Sequence, residues 1–185
     1  MVEIYCGDGK GKTTAAVGLA VRAAGHHIPV LFVQFLKDDS SGEISVLRGI
    51  DGVRLLHPEK SYGFVRQMTE AEKSRTRADY ADMLDRVQGW LSEQIQKEDE
   101  RRENNAEDIH AVVILDEVIH ACNYGLLDEN ALLDVICSYR KQAELVLTGR
   151  QPSEQLQREA DYISVIKKLR HPFDKGITAR NGIEL

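Results

Sequence analysis

The sequence has few of the residues that stabilise secreted proteins or build membrane spans. Its three cysteines, Cys6, Cys122 and Cys137, are far apart and odd in number, so they form no metal-binding pair and no disulfide framework. We expect them to be small buried residues. No apolar stretch approaches the roughly 20 residues of a membrane helix, and the opening MVEIYCGDG has no secretory signal. These absences predict a cytoplasmic protein that does not contact a membrane.

Positive charge is also scarce. The chain has 24 Lys and Arg against 30 Asp and Glu, a formal net charge of -6, which argues against a nucleic acid partner because such binding needs a basic face. Hydrophobic residues make up 42% and charged residues 29% of 185 residues, an ordinary balance for a soluble protein. We therefore expect one domain over residues 1–185, large enough to bury its own core.

Short apolar runs alternate with helical stretches, which predicts an α/β fold with a central, mainly parallel sheet flanked by helices. Runs such as VLFVQF and AVVILD are apolar without alternation, as expected for strands that are covered on both faces. The predicted strands are residues 2–6, 29–35, 53–57, 111–116, 145–148 and 162–166.

Two long helices are predicted. The first covers residues 13–24 and ends at Gly25, a natural left-handed cap. The second begins at a capping box of Thr69 and Glu72 and runs towards Asn104; its last, highly charged part is expected to be a solvated helix end or a mobile loop. Between residues 36 and 69 the chain reads as irregular, and loops of this kind carry ligand contacts.

The stretch CGDGKGKTTAA, directly after the first predicted strand, predicts a phosphate-binding loop. Its glycines let the backbone bend into a concave nest of N–H groups, and the N-terminus of the following helix adds partial positive charge. Lys12 can reach phosphate oxygens, Thr13 can bind Mg²⁺ through its hydroxyl, and Lys10 adds a second cation. The usual pattern G-x-x-x-x-G-K-[ST] would need glycine at Cys6, so this loop is tighter than most.

A second element supports nucleotide binding. In AVVILDE, an apolar run leads into Asp116 and Glu117, the arrangement of a Walker B strand whose carboxylates hold Mg²⁺ directly or through water. Glu117 and His120 also have the E-x-x-H spacing of di-iron bundles, but only one copy occurs, so no metal role is expected for His120. The residues alone predict a Mg²⁺–ATP-binding domain, without a clear acceptor site, base or arginine finger for phosphoryl transfer.

Five blocks of sequence carry a more specific resemblance: GDGKGKTTAAVGLAVRAAGH, VQFLK, ILDEVIHACNYGLL, LVLTGRQPSEQLQREADYIS and KLRHPFDKGITARNGIEL. Together they resemble the ATP:corrinoid adenosyltransferases of the cob(I)alamin or cob(I)yrinic acid a,c-diamide type. The loop G-[ND]-G-K-G-K-T is that family's own variant. The resemblance covers nearly the whole chain apart from residues 38–51 and the long middle helix, and it implies a three-layer, RecA-like P-loop NTPase fold.

The resemblance implies that ATP is an alkyl donor in the making or salvage of adenosylcobalamin. A corrinoid reduced to Co(I) attacks the ribose C5′ carbon and displaces triphosphate, so the loop stabilises a leaving group while orientation supplies the rest. It also implies a homodimer and an electron-donating reductase. Two alternatives remain open: a noncatalytic ATP- or corrinoid-binding module, and an ordinary P-loop ATPase.

The resemblance also implies site residues. Thr13 with Asp116 or Glu117 matches the Mg²⁺ site, and Arg150 of TGR falls where it could meet phosphate, although it could equally form a structural ion pair. His171, Phe173 and Asp174 match the terminal motif without an assigned role. The residues that match the triphosphate loop are Gly7, Asp8, Gly9, Lys10, Gly11, Lys12, Thr13 and Thr14.

One motif departs from the family. Its enzymes displace the corrinoid's lower ligand with an aromatic pair in G-F-T-W, whereas this chain reads SYGFVRQ, with Phe64 at the first aromatic and Arg66 in place of tryptophan. Burying an unpaired arginine costs several kcal/mol, so either Tyr62 supplies the second aromatic or Arg66 pairs with a corrinoid carboxylate. Otherwise the protein handles corrinoids less efficiently or binds a different ligand altogether, and Phe64 could be a loop anchor packed inward. Because no segment precedes the first strand, residues 37–43 or a second subunit are expected to close the site.

Overall fold

The structure is a computed structural model that describes residues 1–37, 41–58, 60, 62–101, 111–170, 172–178, 180, 182 and 183. The side chains of residues 98–101, 173 and 174 are outside that description. None of its helices is long and apolar enough to cross a membrane within these ranges.

Six strands form one sheet in the order β3-β2-β4-β5-β1-β6. All five pairings are parallel, so the predicted parallel α/β fold is confirmed, and each predicted strand is present to within two residues at either end. One strand, β5, lies between the strand that precedes the glycine-rich loop and the strand that ends in Asp116. The strands are β1 (Val2–Cys6), β2 (Val30–Gln34), β3 (Val53–Leu56), β4 (Ala111–Asp116), β5 (Ala143–Thr148) and β6 (Tyr162–Val165).

Helices cover both faces of the sheet. They are α1 (Lys12–Gly25), α2 (Gly42–Leu47), α3 (Glu70–Arg101), α4 (Val118–Asn123), α5 (Glu129–Tyr139) and α6 (Glu154–Glu159). One core joins α1 and α2 to the sheet face of Val112 and Ile114. A larger core joins α3, α4 and α5 to the opposite face, on which Val113 lies. Because successive strand residues point to opposite faces, the unbroken apolar runs of β4 and β5 serve both cores, which gives three layers.

The two predicted helix boundaries differ in outcome. At the start of α3 the capping box is confirmed, since the Glu72 N–H donates to Thr69 Oγ1 over 3.2 Å and the Thr69 N–H donates to Glu72 Oε2 over 2.8 Å. The prediction that Gly25 is a left-handed cap is wrong. Gly25 is still helical, and the left-handed residue is His27, with φ of 59°. Bonds from the His26 and His27 N–H groups to carbonyls three residues back tighten the last turn, which moves the reversal beyond the glycine.

Two other expectations need correction. The segment between β2 and β3 is not simply irregular, because α2 packs Ile44 and Leu47 into the core, where they are 1% and 0% exposed. Six residues contain too few apolar positions to show a helical period, so tertiary packing decides this element. Cys6 is buried as expected, but Cys137 is exposed, since it lies on the face of α5 opposite the one that packs into the core.

Candidate active site

The glycine-rich loop and Asp116, both singled out in the sequence, meet further polar residues at the carboxyl ends of four neighbouring strands. The glycine-rich loop follows β1, and Asp116 is the last residue of β4. Thr148 ends β5 and Gln34 ends β2. An open parallel sheet presents its ligands in the crevice at this edge.

The loop after β1 is held against the chain that leaves β6. The Gly9 N–H donates to the Ile166 carbonyl over 2.8 Å, and the Ile166 N–H donates to the Cys6 carbonyl over 2.8 Å. A Cβ on Gly7 would lie 2.3 Å from the Ile166 oxygen, and one on Gly9 would lie 2.8 Å from the same atom. These glycines are therefore required by close backbone approach. Gly11, with φ of 121°, instead supplies the turn into α1.

Lys12 already points back over the loop. Its ammonium donates to the Gly9 carbonyl over 2.9 Å and the residue is only 8% exposed. Burial lowers the pKa of Lys12, the carboxylate of Glu117 opposes that shift, and the positive charge of Arg150 adds to it. A buried cation next to open N–H groups is a site for an anion.

Asp8 has a different task from its neighbours. Its carboxylate accepts a 3.0 Å hydrogen bond from the Lys168 N–H, and that bond is the main reason why the pKa of Asp8 lies below its ordinary value. The side chain therefore fastens the loop to the segment after β6. Lys10 and Thr14 are exposed at the loop.

Asp116 is the centre of a buried hydrogen-bond network. It is fully buried and accepts hydrogen bonds from Thr13 Oγ1 at 2.9 Å and Thr148 Oγ1 at 2.7 Å. The Gln34 amide nitrogen lies 3.4 Å from its Oδ2, and Lys37 Nζ lies 3.9 Å away. Burial raises the pKa of Asp116, whereas the Lys37 charge and the two hydroxyl donors oppose that shift.

This network fits a Mg²⁺ ion. The Thr13 hydroxyl and the Asp116 carboxylate face one point, and both are the hard oxygen donors that this ion prefers. Gln34 Oε1 is buried beside them without a hydrogen-bond partner. Across the described ranges, no three His, Cys, Asp or Glu side chains cluster as a metal site. Mg²⁺ is typically held by one or two carboxylates and completed by phosphate and water.

Glu117 has a strained backbone next to this network. Its φ of 62° lies in the left-handed region, which is unfavourable for a residue with a side chain. Its N–H donates to Thr148 Oγ1 over 2.8 Å, and its carboxylate hydrogen-bonds the imidazole of His120, which stacks on Tyr124. Burial works to raise the pKa of Glu117, but His120 and the nearby lysines outweigh it and hold the pKa below its ordinary value.

Sequence reasoning did not predict the role of four residues in this network: Gln34, Lys37, His120 and Thr148. Gln34 and Thr148 each end an apolar strand, a position that could have drawn attention to them. His120 was considered only as a metal ligand, whereas it orients a carboxylate.

Arg150 follows Gly149, a position at which the structure has no room for a side chain. A Cβ on Gly149 would lie 2.6 Å from the Ile119 Cβ, and the Arg150 carbonyl accepts a 2.9 Å hydrogen bond from the Asn123 side chain. The Arg150 side chain is exposed and forms no ion pair with any residue that the structure describes. The positive charge of Arg150 contributes to lowering the pKa of Lys12. It also lowers the pKa of Asp8, but by less than the hydrogen bond from the Lys168 N–H does.

The aromatic segment lies beyond β3, at the same edge of the sheet but separated from β1 by β2, β4 and β5. Phe64 is 80% exposed, so the interpretation of Phe64 as an inward-packed anchor is wrong. Tyr62 is half-buried, with Lys60 Nζ 4.8 Å above its ring, and Arg66 is exposed in a short 3₁₀ turn. In the terminal motif, His171 lies outside the described residues, and 173 and 174 form part of a 3₁₀ turn.

The fold agrees with a comparison to solved structures. A chain described as EssC (ATPases 2 and 3) from Geobacillus thermodenitrificans matches with a TM-score of 0.53 and 13% identity, covering 99% of this chain and 36% of that one. This likeness supports the P-loop ATPase fold alone.

Comparisons of sequence are more specific. A corrinoid adenosyltransferase from Sinorhizobium sp is 28% identical over 189 residues, covering 100% of this chain and 79% of that protein. Corrinoid adenosyltransferases of Escherichia coli strain K12 and Salmonella typhimurium strain LT2 are each 27% identical over 185 residues, covering 100% of this chain and 85% of theirs. The family profile described as ATP:corrinoid adenosyltransferase BtuR/CobO/CobP matches residues 1–185. The chain therefore belongs to the ATP:corrinoid adenosyltransferase family.

Proposed function

We propose that this protein grips ATP by its triphosphate in the loop Gly7–Thr14 and presents the ribose C5′ carbon to the Co(I) of a bound corrinoid. The overall activity, ATP:corrinoid adenosyl transfer in cobalamin biosynthesis, follows from membership of the family. The observation that supports this use of the site is the hydrogen bond from Thr13 to Asp116, 2.9 Å long, which joins the loop to the end of β4.

In the proposed step, Co(I) supplies the electron pair for the new Co–C5′ bond, and the C5′–O bond breaks. Triphosphate leaves with the electrons of that bond, so negative charge grows on the oxygen nearest the ribose. The buried Lys12 ammonium and the N–H groups at the start of α1 are fixed before the reaction, and fixed charges cost no reorganisation when charge develops. Arg150 is the exposed cation that completes the clamp around the phosphates.

Thr13 and Asp116, with Glu117 beside them, would hold the Mg²⁺ ion. When bound, the ion neutralises phosphate charge and so makes triphosphate a better leaving group. The hydrogen bond from His120 keeps Glu117 ionised and oriented, and Lys37 offsets part of the charge of Asp116 when the site is empty.

The corrinoid is proposed to lie against the segment that carries Tyr62, Phe64 and Arg66. Phe64, which is 80% exposed, is free to press on the lower face of the cobalt as an apolar wedge. Arg66 is also exposed, so it can pair with a peripheral carboxylate of the corrinoid without the cost of being buried alone. Tyr62 is then the second aromatic of the family's pair.

The remaining assignments are also proposals drawn from the family. We propose a cytoplasmic homodimer that receives its electron from a reductase, and closure of the site by residues 37–43 or by the second subunit. Three exposed apolar side chains on the edge strand β6, Tyr162, Ile163 and Val165, support an additional protein contact on that side. Light scattering should give the mass of a dimer.

The reaction is tested by mixing the protein with Mg²⁺, ATP, cobalamin and a strong chemical reductant. The expected result is a light-sensitive product with the absorbance of adenosylcobalamin, and Thr13→Val should reduce its rate by at least about 100-fold, as for loss of one preorganised electrostatic contact. Ser138→Ala, which removes an exposed hydroxyl on α5 outside the loop, is the control. ATP consumption without any corrinoid would instead support an ordinary ATPase.

A further inference from the structure

A second cavity lies at the end of the sheet opposite the phosphate loop. It has a volume of about 370 Å³ and opens under the C-terminal half of α1, where Leu19, Arg22 and Ala23 form its roof. Its floor includes Val112 on β4 and Glu144 on β5. The size is within the range of small-molecule sites, and none of the residues assigned to ATP or the corrinoid lines it.

Two glutamates lie on the sheet face that forms the floor of the cavity, and the residues paired with them on that face are valines. Glu144 pairs across the sheet with Val112, and Glu3 pairs with Val146, both of which belong to the core under α1. Glu144 is only 5% exposed. A buried carboxylate on an apolar sheet face costs stability unless something compensates its charge.

The compensation within the protein is incomplete. Met1 holds its ammonium 3.6 Å from Glu144 Oε2, and the Tyr5 hydroxyl donates to Glu3 Oε2 over 2.7 Å. The other oxygen of Glu144, Oε1, is buried without a hydrogen-bond partner. Burial, together with the negative charge of Glu3, raises the pKa of Glu144. One ammonium therefore faces two carboxylates.

The roof carries the opposite charge. Arg22 lines the same cavity and forms no ion pair within the described part of the chain, although its charge is close enough to act on Tyr5. The two carboxylates with the Met1 ammonium, which together carry a net negative charge, and the Arg22 guanidinium thus line a common space without forming an ion pair between floor and roof. The lining between these charges includes four apolar residues, Leu19, Ala23, Ile28 and Val112.

We propose that this cavity binds a small zwitterion with an apolar body, of the amino acid class. Its ammonium would lie against the carboxylates of Glu3 and Glu144, its carboxylate would accept from Arg22, and its side chain would lie along the apolar part of the lining. Charge-assisted hydrogen bonds at both ends make the site selective for a molecule that carries both charges. The proposal is independent of the reaction at the phosphate loop.

The test is isothermal titration calorimetry on the full chain with two matched sets of probes. One set is L-leucine, 3-methylbutylamine and 4-methylpentanoate; the other is L-phenylalanine, 2-phenylethylamine and 3-phenylpropanoate. At least one amino acid should bind about tenfold more tightly than both of its one-charge counterparts, and saturating ATP should not displace it. Equal binding of the amine or of the acid would overturn the proposal, as would no binding of either amino acid at millimolar concentration.

Variants locate the binding. Glu144→Gln and Arg22→Gln should each weaken binding of the amino acid by about tenfold or more, whereas the matched exposed changes Glu154→Gln and Arg86→Gln should not. Arg22 is exposed, so its variant is expected to fold even if Glu144→Gln does not. If the Arg22→Gln variant bound the amino acid as tightly as the native protein, the proposal that the ligand is a zwitterion would be refuted.

Discussion

Replacing Gly9 by alanine tests whether the phosphate loop depends on its contact with the chain after β6. A methyl group at this position would lie 2.8 Å from the Ile166 carbonyl oxygen, 2.9 Å from its Cγ2 and 2.9 Å from the carbonyl carbon of Lys167. Two of these three atoms are backbone, so rotating a side chain cannot relieve the overlap. The loop must move away from residues 166 and 167.

The magnitude follows from what the movement breaks. Overpacking of this kind typically costs about 1–3 kcal/mol, and the 2.8 Å bond from the Gly9 N–H to Ile166 is worth about 1 kcal/mol more. We expect Gly9→Ala to lower the free energy of unfolding by about 2–4 kcal/mol. If the loop relaxes instead, the same energy appears as a loss of ATP affinity of about 30-fold or more.

The assay combines urea unfolding with titration of a fluorescent ATP analogue. Gly18→Ala is the matched control, because Gly18 lies inside α1 with no atom within 4 Å of a new Cβ; alanine there should stabilise the helix by about 0.5–1 kcal/mol and leave nucleotide affinity unchanged. Native stability together with native affinity in Gly9→Ala would refute the steric account of the loop.

Four further changes test other parts of the site. Asp116→Asn should weaken binding of Mg²⁺–ATP at least tenfold yet stabilise the protein without ligand. Because burial raises the pKa of Asp116, ionisation of this carboxyl opposes folding. The stability advantage of the variant in urea unfolding should therefore be near zero below about pH 4 and should grow as the pH rises to neutral. An advantage that shrinks as pH rises would contradict this sign. Arg150→Ala should raise the Kd for ATP about tenfold, with Arg158→Ala on exposed α6 as the inert control; equal effects of the two would remove Arg150 from the clamp. Phe64→Ala should abolish the electron paramagnetic resonance signal of four-coordinate Co(II) corrinoid in the presence of ATP, and survival of that signal would exclude the wedge. Arg66→Trp should leave adenosylation within a few-fold if Tyr62 is the second aromatic, whereas a large gain would show that the native segment is not optimised for this reaction.

The sequence predicted the sheet well because each strand is a short run of apolar residues between breaks. It located β1 and β4 to the residue, since Gly7 follows the first and Asp116 ends the second. Its prediction for β5 began two residues late. Ala143 and Glu144 do not read as strand residues, and only pairing with Ala111 and Val112 extends the strand that far.

The site was predictable as a loop with a distant carboxylate, but its network was not. No spacing along the chain tells that Thr148 donates to Asp116, because that bond joins residues 32 positions apart on different strands. The left-handed backbone of Glu117 and the anchoring of Asp8 to Lys168 likewise depend on tertiary contacts. Local patterns identified the groups that do chemistry, whereas the groups that hold them in place appeared only in three dimensions.

The central claim is that the carbon of ATP, and not its terminal phosphorus, is the point of attack. ATP labelled with ¹³C at C5′ tests it most directly, in a reaction with reduced cobalamin and the native protein followed by ¹³C and ³¹P nuclear magnetic resonance. The account predicts that the labelled carbon becomes bonded to cobalt while an equal amount of triphosphate is released. Orthophosphate and ADP, with the labelled carbon still bonded to oxygen, would contradict it.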